Sequence, residues 1–257
     1  MEGLSVGSVL LTGCDGGLGL GLLKGLLEQP SPPRHLFAAC LDPQGKHLAW
    51  DRAPLQPVPK LPCPLADVTD PNSIKAAVRK VREEVGSAGL NLLINNVGTT
   101  RRSTLATETA ENMTLVYTTN TIGPLQTSQA FLPLLKEAAE AKRHQGMSCS
   151  RAAIINISSI LGSIEAAKAW EERQDVCYRC SKAALNMLTK CLALEYGSSG
   201  ILCVSVDPGC VTPPLGQGTQ GPVTEEESVQ GVLRLLARLS AASNGTFWDW
   251  RGQSLPW

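Results

Sequence analysis

Short apolar runs alternate with stretches of helical periodicity along most of this chain. The run "SVLLTG" (8–13) ends in Thr-Gly, and a glycine-rich turn leads from it into the helical pattern "LGLGLLKGLLEQ" (18–29). After the proline-rich break "PSPPR" comes a second run, "HLFAAC" (35–40), and "PLADV" (64–68) is expected to close a third strand. "NSIKAAVRKVREEVG" (72–86) has helical spacing, with Asp70 or Asn72 placed to cap it. "LNLLINNVG" (90–98) reads as a buried fourth strand, residues 110–142 as one long helix, and "AAIINISS" (152–159) as a fifth strand. A helix over 178–197 is stopped by glycine, and "ILCVSVDPG" (201–209) is a sixth strand. Short buried strands alternating with helices predict an α/β fold: a doubly wound parallel sheet of about seven strands, helices on both faces, and ligands at the carboxyl ends of the strands. No internal repeat or low-complexity linker interrupts the series, so residues 1–257 read as a single domain.

One segment resists the pattern. Prolines stand at 43, 54, 57, 59, 62 and 64, and two of them fall where the third strand should form. Proline cannot donate to a ladder, so it is tolerated only where one side of the strand is unpaired. The doubly wound strand order 3-2-1-4-5-6 puts the third strand at an edge, which accommodates it. A short second helix and a frayed edge are the expected result.

Composition narrows the function. The chain has 43% apolar and 18% charged residues, enough for a sizeable core. Its 23 basic residues balance its 23 acidic ones without a long run of either sign, so it lacks the electrostatic footprint of a nucleic-acid or membrane-surface binder. With no bilayer-length apolar stretch and no basic signal-peptide start, the expected location is the cytoplasm. The nine cysteines, at 14, 40, 63, 149, 177, 180, 191, 203 and 210, are odd in number and partly embedded in apolar runs. They read as small core residues rather than a disulfide framework. Cys177 and Cys180 form a C-x-x-C pair, but no second pair or histidine cluster accompanies it in sequence, and no metal site is expected.

Candidate chemistry lies at the strand ends. In "TGCDGGLG" (12–19) the glycines at 13, 17 and 19 follow a strand and open a helix. No side chain then stands between the backbone and a pyrophosphate, and the helix N-terminus offers free N–H groups and its positive dipole end. Asp67, followed by Val68, suits either an acceptor for an adenine amino group or a helix cap. In "NNVG" (95–98) asparagine side chains can clamp loop backbones, and Gly98 leaves room for a ribose. Asn120 falls in the middle of a long apolar helix, where a core-facing amide needs partners. Ser158 and Ser159 end the fifth strand. Tyr178 and Lys182 are i and i+4 on one helix, so phenol and ammonium share a face. A lysine cation beside a tyrosine favours tyrosinate and is expected to lower the phenol pKa toward neutrality.

Taken in order, "TGCDGGLGLG", "NTIGPLQTSQAFLPLLK", "AAIINISSILGSI", "YRCSKAALNM", "DPG" and "LPW" resemble the short-chain dehydrogenase/reductase family over essentially the whole chain. The likeness is greatest to its sniffer/C-factor-like carbonyl reductases. The resemblance implies a Rossmann fold and a tetrad of Asn120, Ser159, Tyr178 and Lys182. Tyr178 would give the proton, Lys182 would hold the nicotinamide ribose, Ser159 would orient the carbonyl, and Asn120 would organise the helix and a water. The implied coenzyme set is Gly13, Asp15, Gly17, Leu18, Gly19, Leu41, Asp42, Asp67, Val68, Asn96, Val97, Gly98, Pro208, Gly209 and Val211, together with Tyr178 and Lys182.

The chain departs from that family at several positions. Gly16 and Leu41 stand where sniffer-type reductases typically carry arginines for the 2′-phosphate of NADPH, and Asp15 and Asp42 lie beside them. The resemblance thus implies NADP(H), whereas the carboxylates suit the 2′-hydroxyl of NAD(H). Lys46 or Arg52 could still reach a phosphate. The Ser159-to-Tyr178 interval is long and contains the bulky, charged segment 165–176. Pro213 replaces the family's threonine, next to Thr212, and residues 213–222 look like a substrate loop. The reading is an oxidoreductase that reduces aldehydes or ketones, a small-molecule enzyme working as a homodimer or homotetramer. A weakly active nucleotide-sensing or interaction module, and an NAD-dependent alcohol dehydrogenase, are the alternatives.

Overall fold

In the computed structural model, residues 3–40, 60–63, 67–166, 170–171, 173–209 and 223–257 are described. The strands are β1 (Ser8–Thr12), β2 (His35–Ala39), β3 (Lys60–Cys63), β4 (Leu92–Asn95), β5 (Ala153–Ile157), β6 (Leu202–Asp207) and β7 (Phe247–Asp249). They form one sheet in the order β3-β2-β1-β4-β5-β6-β7, with every neighbouring pair parallel. The helices are α1 (Gly17–Leu27), α2 (Pro71–Val85), α3 (Ala110–Tyr117), α4 (Gly123–Ala141), α5 (Val176–Tyr196) and α6 (Glu225–Arg238).

The apolar runs are continuous because both faces of the sheet are covered. Val9, Leu11, Ile94, Ile155 and Val204 point to a layer built with Leu22 and Leu26 of α1 and Val232 and Leu236 of α6. Leu10, Leu93, Ile154 and Cys203, one position out of phase, pack with Val81 of α2, Phe131 and Leu135 of α4 and Leu192 of α5. This two-residue alternation aims successive side chains into two separate cores. The doubly wound parallel sheet expected from the sequence is therefore present.

Three boundaries differ from expectation. β3 is Lys60–Cys63 rather than 64–68, because pairing with β2 sets Pro62 opposite Ala38 and Cys63 opposite Ala39, where the ladder ends. β3 lies at the sheet edge with β2 as its neighbour, which is how Pro62 is accommodated. The short helix expected before it lies outside the described residues. The helix over 110–142 is continuous but not uniform: between α3 and α4, residues Thr118–Ile122 make a π-helical turn. Finally, α6 and β7 had not been placed from sequence. Asp70 caps α2, its carboxylate accepting from Asn72 N at 2.9 Å and Ser73 N at 3.2 Å.

Candidate active site and coenzyme cleft

The carboxyl ends of β1, β2 and β4 open onto a cleft of about 640 Å3. Its walls include Gly13, Asp15, Leu18 and Gly19 from the turn after β1, Asp67 and Val68 from the segment after β3, and Asn96, Val97 and Gly98 from the end of β4. Gly13 (φ 75°) and Gly17 (φ 50°) adopt left-handed backbone that favours glycine. At Gly19 the constraint is contact: a Cβ there would lie 1.9 Å from the Gly13 carbonyl oxygen and 2.6 Å from Asn96 Nδ2. Gly16, the N-cap of α1, supplies no side chain to the first N–H groups of that helix. The turn thus has the bare backbone and open helix N-terminus that a pyrophosphate requires.

Thr12 and Asn96 fasten the turn to β4. Thr12 Oγ1 accepts from Asn96 N at 3.0 Å and Val97 N at 3.3 Å, and Asn96 Nδ2 donates to the carbonyls of Thr12 (3.0 Å) and Gly13 (3.1 Å). Asp67 closes a local turn, accepting from Thr69 N at 2.7 Å and Thr69 Oγ1 at 2.8 Å. The capping role belongs to Asp70, and Asp67 stays on the cleft wall. Leu41, Asp42, Lys46, Arg52, Thr212, Pro213, Val211 and the segment 213–222 lie outside the described residues. Pro208 accepts from Ser228 Oγ at 2.6 Å, and Gly209 (φ 82°) has no room for a side chain, since a Cβ would meet Trp250 Nε1 at 2.8 Å.

Asn120 sits within the π-helical turn, fully buried, and its amide is satisfied. Oδ1 accepts from Thr99 N at 2.8 Å, while Nδ2 donates to Thr99 O and Ser181 Oγ, both at 2.9 Å. It therefore ties the loop after β4 to α5. A Cβ on Gly98 would lie 3.5 Å from Lys182 Nζ and 3.6 Å from Asn120 Oδ1, so the Gly98 end of the cleft meets these two residues. Lys182 is buried, with Nζ donating to the Ile157 carbonyl at 2.7 Å and lying 5.6 Å from the Tyr178 ring centroid. The two strand-end serines diverge. Ser158 is buried against the Lys182 carbonyl, whereas the Ser159 hydroxyl accepts from Leu161 N at 3.2 Å and acts on the Tyr178 phenol, favouring its ionised form.

The electrostatics correct one expectation. Burial pushes the Tyr178 phenol up to about 12, against the lowering effect of Ser159 and Arg173. Burial also pulls Lys182 down to about 8, opposed by Asp207. The lysine charge, engaged by the Ile157 carbonyl and 5.6 Å from the ring centroid, does not outweigh the burial of Tyr178, so the phenol is not brought toward neutrality. Tyr178 is accordingly a protonated acid across the neutral range.

Cys177 and Cys180 face different surroundings: Cys177 is buried with Sγ 3.4 Å from the Arg101 carbonyl, and Cys180 is exposed. The start of α5 is held from a distance. Its N-cap, Asp175, is left-handed (φ 41°) and makes no side-chain cap; instead Cys177 N donates to Glu108 Oε2 at 2.9 Å, and Ser103 Oγ donates to the same oxygen. The described part of 165–176 is folded down, with Glu165 N and Ser163 Oγ donating to the Trp257 carbonyl at 2.9 and 3.2 Å, and Arg179 over the Trp170 ring. Thr12, Ser181 and Glu108 were not singled out from sequence. Thr12 had a signal in the T-G pair ending β1, but Glu108 acts across 69 residues and left none.

The short chain dehydrogenase family pattern matches residues 8–221. The chain belongs to the short-chain dehydrogenase family. Within it, a crystal structure of the NADPH-bound carbonyl reductase from chicken fatty liver is 47% identical, covers 99% of this chain and 100% of its own, and superposes with a TM-score of 0.90. The carbonyl reductase Sniffer of D. melanogaster is 35% identical, covers 98% and 100%, and has a TM-score of 0.89. The C-signal protein of Myxococcus xanthus is 28% identical over 181 residues, 70% of this chain and all of its own length. Like these short-chain dehydrogenases, the chain is an oxidoreductase enzyme. Among the described residues, no helix is long and apolar enough to cross a membrane.

Proposed function

We propose that this protein is an NADP(H)-dependent carbonyl reductase acting on small aldehydes or ketones, with Tyr178 as proton donor. The observation that carries the reading is the meeting of Tyr178, Ser159, Lys182 and Asn120 at the Gly98 end of a cleft whose floor is the glycine turn. The fit of the coenzyme rests on that turn: Gly13, Gly17 and Gly19 leave bare backbone for the pyrophosphate, and Asp67 and Val68 flank the adenine end. When bound, the nicotinamide supplies the hydride. Ser159 donates to the substrate carbonyl oxygen and orients it. The Tyr178 hydroxyl then delivers its proton to that oxygen as negative charge develops there, for which a phenol held protonated is suited. Lys182 places a positive charge beneath the phenol ring, which favours proton departure, and Asn120 keeps the Thr99 backbone and α5 in register.

NADP(H) is favoured by the NADPH-bound chicken reductase, with which this chain shares 47% of its residues. Asp15 on the cleft wall favours the competing NAD(H) assignment. Fluorescence titration with both coenzymes decides between them, and tighter binding of NADH would reverse the assignment. In the same reading residues 1–257 act as one domain of a cytoplasmic homo-oligomer. Tyr178→Phe is expected to reduce kcat for aldehyde reduction by at least about 10³-fold, while the coenzyme Kd stays within about threefold. Full activity of that variant would remove Tyr178 as the donor.

A further inference from the structure

Asp207 ends β6 beside the active-site strand and is only 7% exposed. A buried carboxylate requires partners, and those of Asp207 belong to the site. Its Oδ1 accepts from Ile160 N at 3.2 Å, the amide immediately after Ser159. A backbone bond from Ser158 N to the Val206 carbonyl, 2.7 Å, braces the same strand end one residue earlier on β6 and two residues earlier on the β5 side. Ile157, whose carbonyl receives the Lys182 ammonium, is the register partner of Val206. The carboxylate is therefore one residue beyond the β5–β6 pair that holds Lys182, and it acts electrostatically on both Lys182 and Tyr178.

We propose that Asp207 is a positioning residue of the active site: its carboxylate pins the turn that presents Ser159 and keeps Lys182 in its ammonium form. This rests on the reductase reading above, in which the Lys182 charge assists proton departure from Tyr178. The groups that act on Asp207 are the backbone N–H groups of Ile160 and Gly209, the Lys182 ammonium from α5, and Asp249, its register partner on β7. The Asp249 carboxylate is engaged by Arg251 N at 3.0 Å and Gln253 N at 2.8 Å. Burial and Asp249 raise Asp207 to about 6, opposed by the two amides and Lys182, so it is charged through the neutral range. Between about pH 6 and about pH 8 the site then holds a carboxylate and an ammonium together.

The test compares Asp207→Asn with the unaltered protein. Asparagine keeps an acceptor for Ile160 N and removes the charge. The alkaline limb of the kcat profile is expected to move to lower pH by roughly half a unit or more, and the Lys182 pKa, read by NMR of Nζ-labelled lysine in the free protein, to fall with it. Asp207→Glu restores the charge and should return both toward the original values, while Asp249→Asn should leave the alkaline limb in place. A purely structural Asp207 would lower stability or kcat in Asp207→Asn without moving the limb or the Lys182 pKa, and that result overturns the proposal. If Asp207→Asn does not fold, Asp207→Ser is read by the same two measurements. Should the unaltered protein reduce no aldehyde or ketone with either coenzyme, the reductase reading fails; the Lys182 pKa still decides whether Asp207 acts on it.

Discussion

At the scale of single residues, the site depends on a few atoms for which the fold leaves no substitute. Gly19 is the clearest case, because the obstruction facing a new side chain is the backbone carbonyl of Gly13. Gly19→Ala must push the turn away from α1, at roughly 1–3 kcal/mol of strain, and is expected to weaken coenzyme binding at least about tenfold in the same titration. An unchanged Kd would mean that the turn relaxes freely. Lys182 makes a different prediction. Burial pulls it down to about 8 in the fold, and in the proposed mechanism its ammonium assists Tyr178, so kcat for reduction should fall as pH rises through about 8. Sequence singled out these residues because glycine spacing and the Tyr-x-x-x-Lys interval are local signals. It misjudged the direction of the Tyr178 shift, because burial depends on the surrounding packing and cannot be read from an i, i+4 spacing.

Elements reveal what holds those residues in place. The start of α5, which carries Tyr178, is capped by Glu108 from the loop before α3. Burial opposes the charge on Glu108, but hydrogen bonds from Ser103 and from the amides of Thr109 and Cys177 hold its carboxyl at about 2. Because the folded value lies below the ordinary 4.5, its contribution to stability is present above about pH 4.5 and is lost as pH falls toward about 2. Glu108→Gln should flatten that acid decline in urea-denaturation midpoints; an unchanged pH slope would deny Glu108 this role. Deeper in the sheet, Asn95 Nδ2 donates to Asn156 Oδ1, Asn156 Nδ2 donates to Thr189 Oγ1, and Ser205 Oγ donates to Thr189 as well, each at 2.8 Å. Thr189→Val leaves two buried donors unanswered and should cost about 1–3 kcal/mol on denaturation. The helix α6 carried a local signal that the sequence reading did not use: Thr224 and Glu227 form a capping box ahead of an apolar run. β7 has only three residues, too few for periodicity to register, and β3 was displaced by prolines whose pairing partner lies more than twenty residues away.

For the whole molecule, α5 leaves Cys180, Met187, Cys191 and Leu194 exposed at spacings that place them along one stripe, with Leu194 at 75%. The expected homo-oligomer would bury this stripe, and sedimentation should show Leu194→Asp shifted toward the monomer; an unaltered assembly would put the interface elsewhere. The sheet order has a consequence in time. Of the seven strands of this sheet, β1 leaves the ribosome before the others, yet one of its two neighbours, β4, follows 80 residues after Thr12. At about 5–20 residues per second of synthesis, β1 waits roughly 4–16 s with one apolar flank unpaired. Any sheet formed from β1, β2 and β3 before β4 emerges leaves β1, an interior strand of the finished sheet, as an open edge, and the cleft that β4 completes cannot yet exist.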